Sequence, residues 1–184
     1  MEEYINKVII NTDSDLIAES AINTYHDFVS IHKRPKDIQG DFVSVNKIIE
    51  YDLNNSDSDI YIQTHSTSPL LAIKSLDAAI DKMISKSTDF DSIFSVTKIQ
   101  TRFYDKNGNP FNHDPKELLR TQDLEPLFEE NSGFYIFTKE SFKNADNKRI
   151  GLRPLMFEID KIEAIDIDEP SDFIIAETLH KLLK

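Results

Sequence analysis

The chain has no cysteine, only four glycines among 184 residues, and no apolar run approaching the length of a membrane span. Without cysteine there is no disulfide, no thiolate nucleophile and no zinc–thiolate site. So few glycines leave little material for a glycine-rich phosphate cradle. The first residues, Met1-Glu2-Glu3-Tyr4-Ile5-Asn6-Lys7, lack the basic start and apolar stretch of a secretory leader. Basic residues are also in short supply, 21 Lys and Arg against 33 Asp and Glu, for a net charge of −12. That balance argues against nucleic acid or an anionic membrane as partner. An anionic ligand must be held by local features, because the overall field repels it. A cytoplasmic protein follows as the expectation, and the length suits one domain spanning residues 1–184.

What is present is an alternation of strand and helix patterns. Val8-Ile9-Ile10, Phe28 to Ile31, Ile60-Tyr61-Ile62 and Ser92 to Val96 read as strands. Helical spacing runs between them: Asp13 to Tyr25, a stretch around Val43, Ile48 and Ile49, and Leu71 to Ser85. This rhythm predicts an α/β fold, a mostly parallel sheet with helices on both faces. The rhythm breaks between about 101 and 126. There a hairpin around Asn107-Gly108, a Pro-flanked loop and a short helix, Lys116 to Arg120, form a polar arm. Strand character returns at Phe134 to Phe137 and Leu155 to Ile159.

The chemistry concentrates in Ala164-Ile165-Asp166-Ile167-Asp168-Glu169-Pro170-Ser171-Asp172, which reads as a strand ending in two carboxylates before a helix. Residues two apart on a strand share a face and lie roughly 7 Å apart. Asp166 and Asp168 could thus reach one small cation, and paired carboxylates with substrate phosphates are a usual way to hold magnesium. Strand ends are also ordinary places for Asp, and Asp172 alone suffices as a helix-terminus residue. Three weaker groups accompany the pair. His65-Ser66-Thr67-Ser68-Pro69 sits where a strand meets a helix, either as a ligand loop or as a Ser68-Pro69 helix start. Asn131 and Tyr135 could offer an amide and a stacking phenol to a sugar, or make a turn and fill the core. Arg120 could pair with a carboxylate substrate, and Arg34, in Lys33-Arg34-Pro35-Lys36, with a phosphate; a solvated position is the other reading of each.

Taken in order, these pieces resemble the acylneuraminate cytidylyltransferase family. The matching stretches are Val8 to Asp13, Arg34-Pro35 with Asp41, Thr67-Ser68-Pro69-Leu70, Arg120-Thr121-Gln122-Asp123, Glu130-Asn131 through Tyr135, and Ile165 to Asp168 with Asp172. The resemblance implies a Rossmann-like nucleotidyltransferase sheet with a small arm that helps form a homodimer. It implies transfer of CMP from CTP to an acidic nonulosonic sugar of sialic, pseudaminic or legionaminic type, with release of pyrophosphate. Asp166 and Asp168 would hold Mg2+ and serve catalysis. Arg34, Asp13 and Asp41 would belong to the nucleotide site, and His65, Ser68, Arg120, Gln122, Asn131 and Tyr135 to the sugar pocket.

Two departures qualify the match. Family members open with a strand and a Gly-, Ser-, Lys- and Arg-containing loop around the triphosphate, and this chain starts at what resembles the second strand. Val8-Ile9-Ile10 and Ile60-Tyr61-Ile62 are therefore expected either to pair directly or to leave the sheet interrupted. A non-catalytic, sugar-acid-binding or dimerising relative is the alternative to an enzyme. The other departure is His65, at a position where the family usually has Gln.

Overall fold

A computed structural model of the chain describes residues 4–86, 88–117 and 119–183. The elements run β1 (Val8–Thr12), α1 (Asp15–Tyr25), β2 (Val29–Lys33), α2 (Val45–Asn54), β3 (Tyr61–Thr64), α3 (Ile73–Ser85), β4 (Ser92–Ile99), β5 (Leu127–Phe137), α4 (Lys139–Asn144), β6 (Pro154–Glu158) and α5 (Pro170–Leu183). The alternation expected from the periodicity is present, and the architecture is α/β. The strands form two hydrogen-bonded sheets, β1-β2 and β3-β5-β4-β6. β1 and β3 are not hydrogen-bonded neighbours, so the direct pairing does not form. The chain divides into two units, and β3, β4, β5 and β6 contribute residues to both.

The first unit comprises the chain up to Gln63, Ile73–Ile93 and Tyr135–Leu155. Here β1 and β2 run parallel, in register from Val8 opposite Val29 to Thr12 opposite Lys33. α1 connects them, a helical crossover being what a parallel pair requires. Ser14 starts that helix by accepting the Ile17 amide on its hydroxyl. α2 buries Ile49 and Leu53, one turn apart, and α3 buries Ala79, Ile80 and Met83. The last residues of β5 supply the aromatic centre. Phe137 stacks on Tyr61 and packs against Phe142 of α4, with ring centres 6.3 and 5.9 Å apart. Burying a side chain of that size contributes about 2 kcal/mol. α4 depends on its own first turn, where Thr138 and Ser141 cap each other's amides in a reciprocal box.

A single carboxylate closes this unit's β4 end. Asp91 accepts the Leu152 and Arg153 amides at 3.1 and 3.0 Å, and its own amide donates to the Arg153 carbonyl. Gly151 reaches the same corner, donating to Ser92 Oγ at 2.8 Å. A Cβ at Gly151 would lie 2.7 Å from Asp91 Cγ and 2.9 Å from Ser92 Oγ, closer than either atom allows.

The second unit comprises Thr64–Ala72, Phe94–Phe134 and the chain from Met156 onward. It contains the arm, whose hairpin forms at the expected turn. Tyr104 bridges Pro110 in antiparallel fashion, and Gly108, at φ +83°, supplies the left-handed turn residue. Asp105 organises the loop by accepting the Asn107 and Asn109 amides, each at 2.8 Å, and the Asn109 side chain at 2.9 Å. The Asn109 side chain first, then these backbone amides, hold the Asp105 carboxyl below its ordinary range.

Two local expectations are corrected. The strand expected at Ala164–Asp168 is irregular: the Ala164 and Ile165 amides are spent on the Asp160 and Ile162 carbonyls, so the chain turns where a ladder would need it extended. The short helix expected over Lys116–Arg120 is not helical in its described residues. The Glu117 amide closes a turn on Asp114, the Leu119 amide donates to Glu117, and Leu118 lies outside the described residues.

Gly151→Ala is expected to lower the melting temperature by about 5 °C, an overpacking cost of about 2 kcal/mol at the Asp91 corner; thermal denaturation measures it. The Asp105 carboxyl is depressed in the folded chain, so its contribution is complete above the ordinary aspartate range and disappears as pH falls through the lowered value. Protection of the Asn107 and Asn109 amides, relative to their intrinsic exchange rates, should therefore fall as pH drops through the lowered value, and in Asp105→Ala it should be low at every pH.

Candidate functional site

The residues singled out by sequence fall in both units. Asp13, Arg34, Asp41 and Tyr135 lie in the first, and His65, Ser68, Arg120, Gln122, Asn131, Asp166 and Asp168 in the second.

In the second unit, the loop carrying the carboxylates is tied to the loop carrying His65 and Ser68. The Ile167 amide donates to the Thr67 carbonyl at 2.9 Å, and Glu163, only 8% exposed, accepts the Ala72 amide at 3.3 Å. The 65–71 stretch is itself a double turn, Ser68 amide to His65 carbonyl and Leu71 amide to Ser68 carbonyl. α3 begins at Ile73, so Ser68-Pro69 does not start that helix. Ser68 is half-buried, as is His65.

The two aspartates have different surroundings. Asp166 is half-buried, and its Oδ1 is enclosed without a hydrogen-bond partner among the described residues. Asp168 is exposed. Asp172 accepts the Asp168 and Glu169 amides on Oδ2 at 3.1 and 2.9 Å, so it fixes the turn into α5. That is the helix-entry role its position suggested. An enclosed carboxylate oxygen without a donor is unfavourable by about 1–3 kcal/mol, and a cation or a ligand donor removes the penalty. No three His, Cys, Asp or Glu side chains converge on one point among the described residues. The enclosed Asp166 oxygen is the feature of this loop that suits a small hard cation, whose other ligands would come largely from water and phosphate.

Asn131 is held by β4. Its Oδ1 accepts from Ser95 Oγ at 2.6 Å and from the Gly133 amide at 3.2 Å, while Nδ2 donates to Thr97 Oγ1 at 2.9 Å. Ser95 and Thr97 are almost fully buried, so the amide is locked in one orientation. Ser132, at φ +56°, turns the strand beside it. In the arm, Arg120 makes a bidentate pair with Asp123 at 2.8 and 3.0 Å, which raises the guanidinium above its ordinary value. Gln122 is exposed, and its carbonyl accepts from Gln100.

In the first unit, Asp13 and Asp41 are exposed and Arg34 is half-buried. Arg34 Nε donates to Asn11 Oδ1 at 2.9 Å and Nη2 to the Asn11 carbonyl at 3.1 Å. Asn11 Nδ2 in turn donates to Asp52 Oδ1 at 2.7 Å, which also meets His32 Nδ1 at 2.6 Å. Tyr135 is fully buried, its hydroxyl accepting from Arg149 Nη2 at 2.9 Å. The Arg149 guanidinium carbon lies 3.6 Å above the Tyr135 ring centre, and Nη1 donates to Gln63. No motif in the sequence singles out Asp52, His32 or Arg149. Only Arg149 carries a visible signal, as a rare cation two residues before a glycine.

Asp166→Asn should raise the melting temperature when chelator is present, because it removes an enclosed charge without changing shape. The parent should gain stability on addition of millimolar MgCl2 with CTP and the variant should not. An equal gain in both would show that the Asp166 carboxylate holds no cation.

Known proteins share both the sequence pattern and the fold. The cytidylyltransferase family matches residues 2–181. N-acylneuraminate cytidylyltransferase A of Danio rerio is 28% identical over 180 residues, 94% of this chain and 40% of that protein. N-acylneuraminate cytidylyltransferase of Oncorhynchus mykiss is 29% identical over 183 residues, 95% of this chain and 40% of that protein. The chain thus spans about 40% of the length of these curated relatives. Among solved structures, CMP:2-keto-3-deoxy-manno-octonic acid synthetase complexed with CTP superposes with a TM-score of 0.63 at 10% identity, covering 97% of this chain and 82% of that one. A 4-diphosphocytidyl-2C-methyl-D-erythritol synthase gives 0.63 at 13% identity, over 97% and 85%. These structural likenesses establish a shared α/β fold, and the sequence match over nearly every residue establishes the lineage: the chain belongs to the cytidylyltransferase family.

Proposed function

We propose that this chain carries the transfer of CMP from CTP to an acidic nonulosonic sugar, with release of pyrophosphate. The observation that carries the reading is Asp166, whose Oδ1 is enclosed without a donor among the described residues, on a loop bonded through Ile167 to the Thr67 turn. In the reaction, the sugar's anomeric oxygen bonds to the α-phosphorus, and the bond from that phosphorus to the β-phosphate oxygen breaks. The hydroxyl proton passes to solvent, and pyrophosphate departs with the electron pair. Asp166 and Asp168 would hold Mg2+, which supplies charge neutralisation at the triphosphate when bound.

The remaining roles belong to the chain's own side chains. Arg34, with two of its donors fixed on Asn11, offers the other N–H groups to phosphate or nucleotide, with Asp13 and Asp41 nearby in sequence. Asn131, locked by Ser95 and Thr97, presents a fixed amide to a sugar hydroxyl or N-acyl group. His65 and Ser68 add polar groups from the turn bonded to the aspartate loop. Arg120 would exchange Asp123 for the sugar carboxylate, a bidentate partner of the same kind, across a homodimer formed by the arm. Gln122, exposed on the arm of the same unit as Asn131, adds an amide to the proposed pocket. A cytoplasmic setting suits this chemistry, and no described helix is long and apolar enough to cross a membrane.

Incubation with CTP, MgCl2 and N-acetylneuraminate, legionaminate or pseudaminate should release pyrophosphate, and Asp166→Ala should slow it at least about 100-fold. Release that is absent from the parent, alongside calorimetric binding of a sugar acid, would replace the enzyme with the non-catalytic binding reading.

A further inference from the structure

We propose that Asp52 is a positioning residue that sets the orientation of the Arg34 guanidinium through the amide of Asn11. The inference rests on the nucleotide role of Arg34 given above, and everything it uses lies within the first unit.

Three elements meet at this carboxylate: Asn11 on β1, His32 on β2 and Asp52 on α2. An amide side chain has two faces, one accepting and one donating, and it can turn over at little cost unless both are engaged. Here both are. Nδ2 donates to Asp52 Oδ1, which can only accept, so Nδ2 must face α2 and Oδ1 must face Arg34. Arg34 Nε then donates to that oxygen, and Nη2 to the carbonyl of the same residue. Two of the five guanidinium N–H groups are spent, and the planar fork is fixed. The backbone is fixed as well, with the Arg34 amide on the Thr12 carbonyl at 2.9 Å and its carbonyl accepting from Gln39.

Without the Asp52 carboxylate, Asn11 has no reason to keep Oδ1 toward Arg34. Turned over, it would present NH2 to a guanidinium, and two donors repel. Arg34 would leave, and its remaining donors would no longer be preset by the bond that joins Asp52 on α2 to Asn11 on β1. The His32 ring shares Asp52 Oδ1 and packs edge-on against Tyr51, taking no part in the bonds between Asn11 and Arg34. It therefore serves as the internal control.

The test is a double-mutant cycle on the 184-residue chain, read in two ways. Calorimetry with CTP and MgCl2 reports affinity, and the NMR signal of the Arg34 Nε–H reports the bond to Asn11 without any ligand. Asp52→Ala should weaken CTP binding about tenfold in the parent and less than about twofold in an Asn11→Ala background. Asp52→Asn, which keeps an acceptor oxygen, should restore binding to within about threefold, and His32→Ala should change it by less than about twofold. The Nε–H signal should shift and exchange faster in Asp52→Ala, and stay in place in Asp52→Asn and His32→Ala. A full effect of Asp52→Ala in the Asn11→Ala background, or an unmoved Nε–H signal, overturns the inference. A parent that binds no CTP while the Nε–H signal moves as stated overturns the nucleotide role and leaves the positioning intact.

Discussion

Asp91 displays in one corner the constraint under which the whole chain is built. Its carboxylate is held by the backbone amides of Leu152 and Arg153, not by a cation. With 33 acidic side chains against 21 basic ones, many carboxylates cannot have a Lys or Arg. N–H groups supply the compensation, because an amide stabilises an anion without adding charge. Asp105 takes the amides of its own hairpin, Asp172 those of Asp168 and Glu169, and Asp52 the side chain of Asn11. The backbone bonds also fix stretches of chain, so satisfying the charge and folding the loops are the same event. Asp166 has one enclosed oxygen that accepts no hydrogen bond from the described residues.

That difference is the one expected between a carboxylate that fixes loops and one open to a ligand. A carboxylate saturated by amides has no lone pairs in reach of a ligand and no reason to exchange partners. An unsaturated, enclosed oxygen favours whatever positive group arrives. The few cations are handled in the opposite way. Arg34, Arg120 and Arg149 are each held in a plane by two or more bonds, to Asn11, to Asp123, and to Gln63 and Tyr135. In a chain whose field repels anions, a preset guanidinium recovers affinity that a mobile one would lose to side-chain entropy.

β1-β2 and β3-β5-β4-β6 are separate hydrogen-bonded sheets. A two-stranded parallel sheet is marginal by itself, and β1 keeps Val8, Ile9 and Ile10 only half-buried. Support comes from α1 and α2, and from the Asn11–Asp52 bond that ties β1 to α2.

Element order, strand and helix type, the hairpin at Asn107-Gly108 and the family are legible in the residues alone, because period, turn chemistry and ordered motifs are local signals. α4 is not, since its evidence, the Thr138–Ser141 box, exists only once the helix forms. Ala164–Asp168 has a strand's alternation of Ile and Asp, which equally suits an irregular loop whose amides bond elsewhere. Tyr135 fits a pocket phenol or a core ring by pattern, and packing sets it beneath Arg149. Residue order settles the chemistry on offer: carboxylates two apart, scarce cations, an amide shortly before a glycine. Folding chooses which carboxylate lacks a donor and which way the Asn11 and Asn131 amides face, because hydrogen-bond saturation depends on neighbours far apart along the chain.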